Sequence, residues 1–258
     1  MNKFPKRVTI EMTNDCNLSC IMCPRHFMKD TVGYIKYDLW CELIDECKGE
    51  SVTLLPFWRG ESLLHPQFGE LIDYALGRVK AVQFATNGTF INEENVSLLS
   101  KFDFISISIH NEAAVNKLDL LLKHLHKDKP EIQASFVESE KSCELIDAVL
   151  EKVDRVRIYK MHTNNGVYGK SNVELSRQES CAKLMNDIVI ACDGTVSRCC
   201  YLWETNKSLS VVSSSIYDVW NGTHYREIRR SYPDALCERC DQWGGETLGK
   251  TIEKTRVN

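Results

Sequence analysis

The sequence predicts an α/β fold. A parallel sheet of six strand-helix repeats, closed as a barrel or left open, is followed by a small α+β region with a β-hairpin and a helix. Two observations carry this expectation. Short apolar runs alternate with amphipathic stretches at helical spacing through the first 160 residues. After Lys160 that rhythm stops, and Asn164-Asn165-Gly166 and Gly169 mark loops.

The elements follow in order. Residues 7–11 alternate like a short strand, and 39–47 carry apolar residues at helical spacing. Residues 51–56 read as a buried strand, 68–75 as a helix and 81–85 as the next strand. The alternation continues with a helix at 93–100, a strictly alternating strand at 104–109 and an amphipathic helix at 114–126. Residues 132–137, 142–153 and 156–159 supply strand, helix and strand again. Parallel strands joined by right-handed crossovers place functional groups at the strands' C-terminal ends. The domain boundary falls near residue 170. Beyond it, strands at 188–191 and 196–200 flank Cys192-Asp193-Gly194-Thr195, whose Asp-Gly pair signals a hairpin, and a helix follows at 217–220.

Composition narrows the function. A chain of 258 residues with 43% hydrophobic and 26% charged residues folds around a sizeable core. Thirty-two Lys and Arg against 36 Asp and Glu give a net charge of -4, so no global basic field draws nucleic acid or anionic lipid. No apolar run spans a membrane, and the N-terminus leads into a strand instead of a signal-peptide core, which gives the expectation of a cytoplasmic protein with no membrane or nucleic-acid partner. Twelve cysteines without signs of an oxidising compartment point to metal or redox chemistry. Cys16, Cys20 and Cys23 group near the start, and Cys181, Cys192, Cys199, Cys200, Cys237 and Cys240 near the end, a distribution that fits two metal sites. Cys41, Cys47 and Cys143 lie in helix-like stretches and read as small core residues.

Cys16, Cys20 and Cys23 follow the first strand at spacings of four and three. Three thiolates can hold three irons of a cubane cluster and leave the fourth iron open. A zinc site would add a fourth ligand, for which His26 is the nearest residue. The CxxxCxxC pattern resembles that of the radical S-adenosylmethionine (SAM) superfamily. Further segments match in order. Trp58-Arg59-Gly60-Glu61-Ser62-Leu63-Leu64-His65-Pro66 resembles the family's GGEPLLHP segment, with Arg59 and Ser62 as departures, and Thr86-Asn87-Gly88 resembles its TNG motif.

This resemblance implies a partial (β/α)6 TIM-like barrel over residues 1–170 and a small α+β twitch domain over 171–258. It implies that Cys16, Cys20 and Cys23 bind a 4Fe-4S cluster whose open iron takes SAM, and that reductive cleavage of SAM yields a radical that abstracts hydrogen. Met22 stands where relatives place an aromatic residue near adenine. Gly60 and Glu61 correspond to the residues that grip the methionine amino group, while Asn87 and Ser108 fall at further cofactor-contacting positions. A reductant such as flavodoxin or ferredoxin is the implied electron donor.

Cys181, Cys199, Cys237 and Cys240 resemble the ligand set of a twitch domain, a shortened relative of the SPASM domain. That likeness implies one fully ligated auxiliary 4Fe-4S cluster, with Cys192 or Cys200 as alternatives to Cys199. Adjacent strand residues point to opposite faces, so one of Cys199 and Cys200 reaches the metal. A structural zinc ribbon is the competing reading of the CxxC.

Candidate catalytic residues are His65, His110, Lys160, His162 and Asn165 at strand ends, and Cys200 or Cys192, if unligated, as a hydrogen-returning thiol. The arrangement resembles compact radical SAM dehydrogenases with one auxiliary cluster. This implies oxidation of an alcohol carbon on a sugar, a cyclitol or a similar small substrate, with the auxiliary cluster taking the second electron. An epimerase and a peptide-modifying maturase are the rival enzymes. The maturase often carries an N-terminal leader-binding domain, for which the sequence before Arg7 leaves no room. An iron-sulfur or zinc interaction module is the non-enzyme rival.

Overall fold

The computed structural model describes residues 3–125, 130–138, 142–161, 180–242 and 249–253. The chain forms two compact units, residues 1–80 with 162–247, and 81–161 with 248–258. The boundary expected near residue 170 lies outside the described residues, as do His162 and Asn165.

In chain order, β1 (Arg7–Ile10), α1 (Tyr37–Cys47), β2 (Thr53–Leu55) and α2 (Phe68–Ala75) open the first unit. The second contains β3 (Ala81–Thr86), α3 (Val96–Leu99), β4 (Phe104–Ser108), α4 (Glu112–Lys123), β5 (Glu131–Val137), α5 (Ser142–Leu150) and β6 (Arg155–Tyr159). The chain returns to the first unit with α6 (Ala182–Asn186), β7 (Asp187–Ile190), β8 (Thr195–Ser197), β9 (Asn206–Ser210), α7 (Ile216–Asn221) and α8 (Thr223–Arg230). It closes the second with β10 (Gly249–Glu253).

In the first unit, β1 runs parallel to both β2 and β7, and β8 and β9 extend the sheet antiparallel beyond β7. Flanked by strands on both sides, β1 buries Val8 and Ile10 completely, and all four residues of β7 are buried. Trp40 of α1 donates its indole N–H to Leu71 O of α2 at 2.7 Å, which satisfies the one polar atom of a fully buried ring. The Glu46 carboxylate accepts the Ile216 N–H at 2.6 Å, tying α1 to the N-terminus of α7.

In the second unit, β3, β4, β5 and β6 are parallel in that order, and β10 pairs antiparallel with β6. Strand alternation gives this sheet two different faces. Phe84, Ile105, Ile107, Ala134 and Val156 make one face apolar and buried, and the helices bury matching residues such as Leu118 and Leu121. The other face carries Ser106, Gln133, Ser135 and Tyr159. Gln133 Nε2 lies 2.8 Å from Ser135 Oγ, 3.1 Å from Ser106 Oγ and 3.3 Å from the Tyr159 hydroxyl, three oxygens that share its two N–H donors.

Several elements differ from their sequence expectation. The helix expected at 93–100 shrinks to α3, because Asn92 and Asn95 side chains bond backbone N–H groups within 92–95 and hold a turn there. The helix expected from residue 114 begins at Glu112, where Asn111 Oδ1 accepts the Ala114 N–H as N-cap. The strand expected at 196–200 stops at Ser197, so Cys199 and Cys200 follow it in a turn and strand alternation does not separate them. No helix among the described residues is long and apolar enough to cross a membrane.

Candidate metal centres and their surroundings

The loop after β1 is built by short-range bonds. Cys23 N–H donates to Cys20 O at 2.9 Å, and the Arg25 guanidinium reaches Cys16 O at 3.2 Å and Leu18 O at 3.3 Å. These bonds curl residues 16–25 into one loop that carries all three thiols. Burial, together with the neighbouring cysteine sulfurs, raises the Cys20 and Cys23 thiols above their ordinary range. Cys16 Sγ accepts the Leu18 N–H at 3.5 Å. His26, the zinc alternative, is exposed, with its Nε2 3.0 Å from Cys20 O. Met22 is half-buried in the same loop.

The segment after β2 packs directly on the start of this loop. Glu61 N–H donates to Asp15 O at 2.7 Å, and a Cβ on Gly60 would sit 2.3 Å from Thr13 O and 2.4 Å from Asp15 O. Only glycine fits that approach. Glu61 is buried and accepts the Leu63 N–H at 3.2 Å, capping the turn at Ser62–Leu64. Arg59, a departure from the family segment, is buried against Glu11, with Nε 2.7 Å from Oε1 and Nη2 2.8 Å from Oε2. It also pairs with Asp30 and donates to Trp203 O at 3.1 Å. Burial opposes its charge, but the Glu11 and Asp30 carboxylates outweigh this and hold the guanidinium above its ordinary range. Trp58, under that guanidinium, donates its indole N–H to Cys200 O at 3.0 Å.

Cys181, Cys199, Cys237 and Cys240 line one cavity, together with Leu184, Leu202 and Leu236. Tyr201 N–H donates to Cys199 Sγ at 3.5 Å, Gln242 N–H to Cys240 Sγ at 3.3 Å, and Arg198 Nη2 to Cys237 Sγ at 3.5 Å. Burial pushes the Cys240 thiol up to about 11 and raises Cys237 as well, so loading metal here must release protons. Cys200 does not line this cavity. Cys192 lines a separate groove of about 710 Å³ with Asp30 and Arg59, where burial and the nearby Glu11 carboxylate push its thiol to about 12. Four sulfurs in an apolar pocket, with N–H donors aimed at three of them, suit an iron-sulfur cluster. Three sulfurs in one loop suit a cluster with an open iron. Among the described residues, no three His, Cys, Asp or Glu side chains converge closely enough to hold a single metal ion.

The remaining candidates divide between the units. His65 is buried in the first unit, with Nε2 3.0 Å from Ile35 O, and its Nδ1 accepts the Gln67 N–H at 3.1 Å. Both ring nitrogens are thus engaged by backbone. In the second unit, Asn87 Oδ1 accepts from Thr89 N at 2.9 Å, and Gly88 has a φ of 77°, so the Asn-Gly pair forms a tight turn at the end of β3. Ser108 is half-buried at the end of β4, while His110 and Lys160 are exposed just beyond β4 and β6. Ser106, Gln133, Ser135 and Tyr159 form a polar cluster that no sequence motif marks. Their one signal was the polar positions alternating with apolar ones along β4 and β5.

Residues 10–169 match the model of the radical SAM superfamily. The chain belongs to that superfamily. Residues 181–241 match the SPASM iron-sulfur cluster-binding domain. Radical SAM membership brings a 4Fe-4S cluster and SAM as cofactors, and the SPASM match brings auxiliary iron-sulfur binding. Mycofactocin maturase MftC of Mycobacterium ulcerans is 31% identical over 115 residues, which are 45% of this chain and 31% of the maturase. The chain thus spans about a third of that curated relative. The structure of BtrN with AdoMet and 2-DOIA matches with a TM-score of 0.71 at 18% identity, covering 96% of this chain and all of that one. Streptococcus suis SuiB bound to the precursor peptide SuiA matches with a TM-score of 0.68 at 16% identity, over 94% of this chain and 71% of that one. These likenesses show the fold, a partial (β/α) barrel with a C-terminal SPASM or twitch domain, as the sequence led us to expect.

Proposed function

We propose that this chain is a radical SAM oxidoreductase that dehydrogenates an alcohol-bearing small substrate of the sugar or cyclitol type. The cavity shared by Cys181, Cys199, Cys237 and Cys240 carries the reading, because four cysteines can ligate an auxiliary cluster completely and leave it free for electron transfer. When bound, SAM and the two clusters supply hydrogen abstraction at one site and a one-electron acceptor at the other. Cys16, Cys20 and Cys23 hold the first cluster. Glu61 offers a carboxylate to the methionine ammonium, and Gly60 lets the backbone approach. Asn87 and Ser108 contribute cofactor contacts. The half-buried Ser106 and Tyr159 hydroxyls, held in one hydrogen-bonded cluster with the buried Gln133 and Ser135, are suited to a hydroxylated substrate. His110 and Lys160 are the described candidates for accepting the alcohol proton. Flavodoxin or ferredoxin is the proposed reductant. The likeness to BtrN, described with 2-DOIA and matched over 96% of this chain, supports this reading.

A second reading, a peptide-modifying maturase, is favoured by the match to the mycofactocin maturase. One experiment separates the two. Anaerobically reconstituted protein is expected to hold about eight iron and eight sulfide per chain, falling by half on Cys16→Ala/Cys20→Ala/Cys23→Ala or on Cys237→Ala/Cys240→Ala. Incubation with SAM, dithionite and deuterated aminocyclitols should place deuterium in 5'-deoxyadenosine and yield a ketone. Deuterium transfer only from peptides would select the maturase, and a product epimerised without oxidation would sink the dehydrogenase reading. Zinc in place of the second cluster would remove its electron acceptor.

A further inference from the structure

Arg198 directly precedes Cys199, and its guanidinium lines the four-cysteine cavity. Nη2 donates to Cys237 Sγ at 3.5 Å, and Nη1 is paired with the Asp234 carboxylate. Asp234 Oδ1 in turn accepts the N–H groups of Leu236 and Cys237, each at 3.1 Å. One side chain thus joins the end of β8 to the turn that carries Cys237 and Cys240, and brings a positive charge to a cysteine sulfur. The donors to Cys199 and Cys240 are neutral backbone N–H groups.

We propose that Arg198 positions and tunes the auxiliary cluster. It fixes Cys237 relative to Cys199, and its charged hydrogen bond to sulfur favours the reduced form of the cluster. The proposal rests on the reading that these four cysteines hold that cluster. Reduction by one electron adds one negative charge beside the guanidinium, and hydrogen bonds and net charge around the sulfurs are what set such potentials. Asp234 offsets part of that charge while holding the guanidinium in place. Opposing these two residues keeps the potential adjustable through either one.

The test uses the full chain with Cys16→Ala, Cys20→Ala and Cys23→Ala, reconstituted anaerobically, so that only the auxiliary cluster is titrated, with dithionite as electron source and electron paramagnetic resonance as readout. Arg198→Gln should keep about four iron and shift the midpoint to more negative potential, a roughly tenfold loss in the reduction equilibrium or about 59 mV. Arg198→Lys, which keeps the charge but loses the fork, should fall between. Asp234→Asn should move the midpoint the other way. A wild-type midpoint in an iron-loaded Arg198→Gln protein overturns the proposal, since a purely structural role would change iron content and melting temperature alone. Should Arg198→Gln fail to assemble, unchanged midpoints in Arg198→Lys and Asp234→Asn overturn it equally. If the background protein binds no iron, the cysteine reading fails first and the tuning role falls with it.

Discussion

Arg59 stands where the family segment has glycine, and the physical consequence is a buried cation that needs partners. Glu11 and Asp30 supply them, and the Glu11 side chain is itself fully buried. Removing one member of such a pair strands the other, so Arg59→Met should cost about 3–5 kcal/mol in chemical denaturation, with Arg59→Lys recovering part of it. Gly60 answers to a different constraint. Gly60→Ala drives a methyl group into Thr13 O and Asp15 O, and should lower iron at Cys16, Cys20 and Cys23 while leaving the C-terminal cluster loaded, as iron counts on the separated cysteine variants would check. Cys47 and Cys192 set a pH limit. Burial, aided by neighbouring carboxylates, raises both from an ordinary 9 to about 12. Below pH 9 folded and unfolded chains both keep these protons. Between about 9 and about 12 only the unfolded chain releases them, so stability falls as pH rises through that window. Melting of the apoprotein should show this fall, and Cys47→Ala/Cys192→Ala should flatten it.

At the scale of elements, the repeats legible in the sequence were those with a buried apolar face. Strands β3 and β4 alternate between buried and half-buried positions just as their residues alternate, which is why their existence followed from pattern alone. Helix α8 was not legible, because the side chains it buries are Tyr225 and Arg229, and Arg229 stacks on the Trp220 ring at 4.3 Å. Strand β10 was missed for the opposite reason: as an edge strand it is mostly exposed and carries no burial pattern. Helix α7 owes its start to Ser215, whose Oγ accepts the Asp218 N–H at 2.9 Å. Ser215→Ala should cost about 1 kcal/mol in denaturant unfolding, and a smaller effect would mean that Glu46 alone suffices at that helix end.

Considered as a whole molecule, the chain gathers both cysteine sets into one compact unit, residues 1–80 with 162–247, while the polar strand face belongs to the other. Strand β10 covers the β6 edge of that second unit. Removing residues from Gly249 onward should expose that edge, lower the melting temperature and promote aggregation, yet leave iron per folded chain unchanged; loss of iron would show that metal loading depends on the second unit's edge. The sequence by itself determined the strand-helix alternation, the family and both cysteine sets, because periodicity and spacing are local properties of the chain. Only the tertiary structure decided that Cys181, Cys199, Cys237 and Cys240 share a cavity that excludes Cys192 and Cys200. It also decided that β7 lies parallel beside β1 and that Arg59 and Arg198 are tied to carboxylates distant in sequence. Each of these depends on which segments meet after folding, and contacts between distant segments are set by packing and charge pairing that leave no periodic trace in the order of residues.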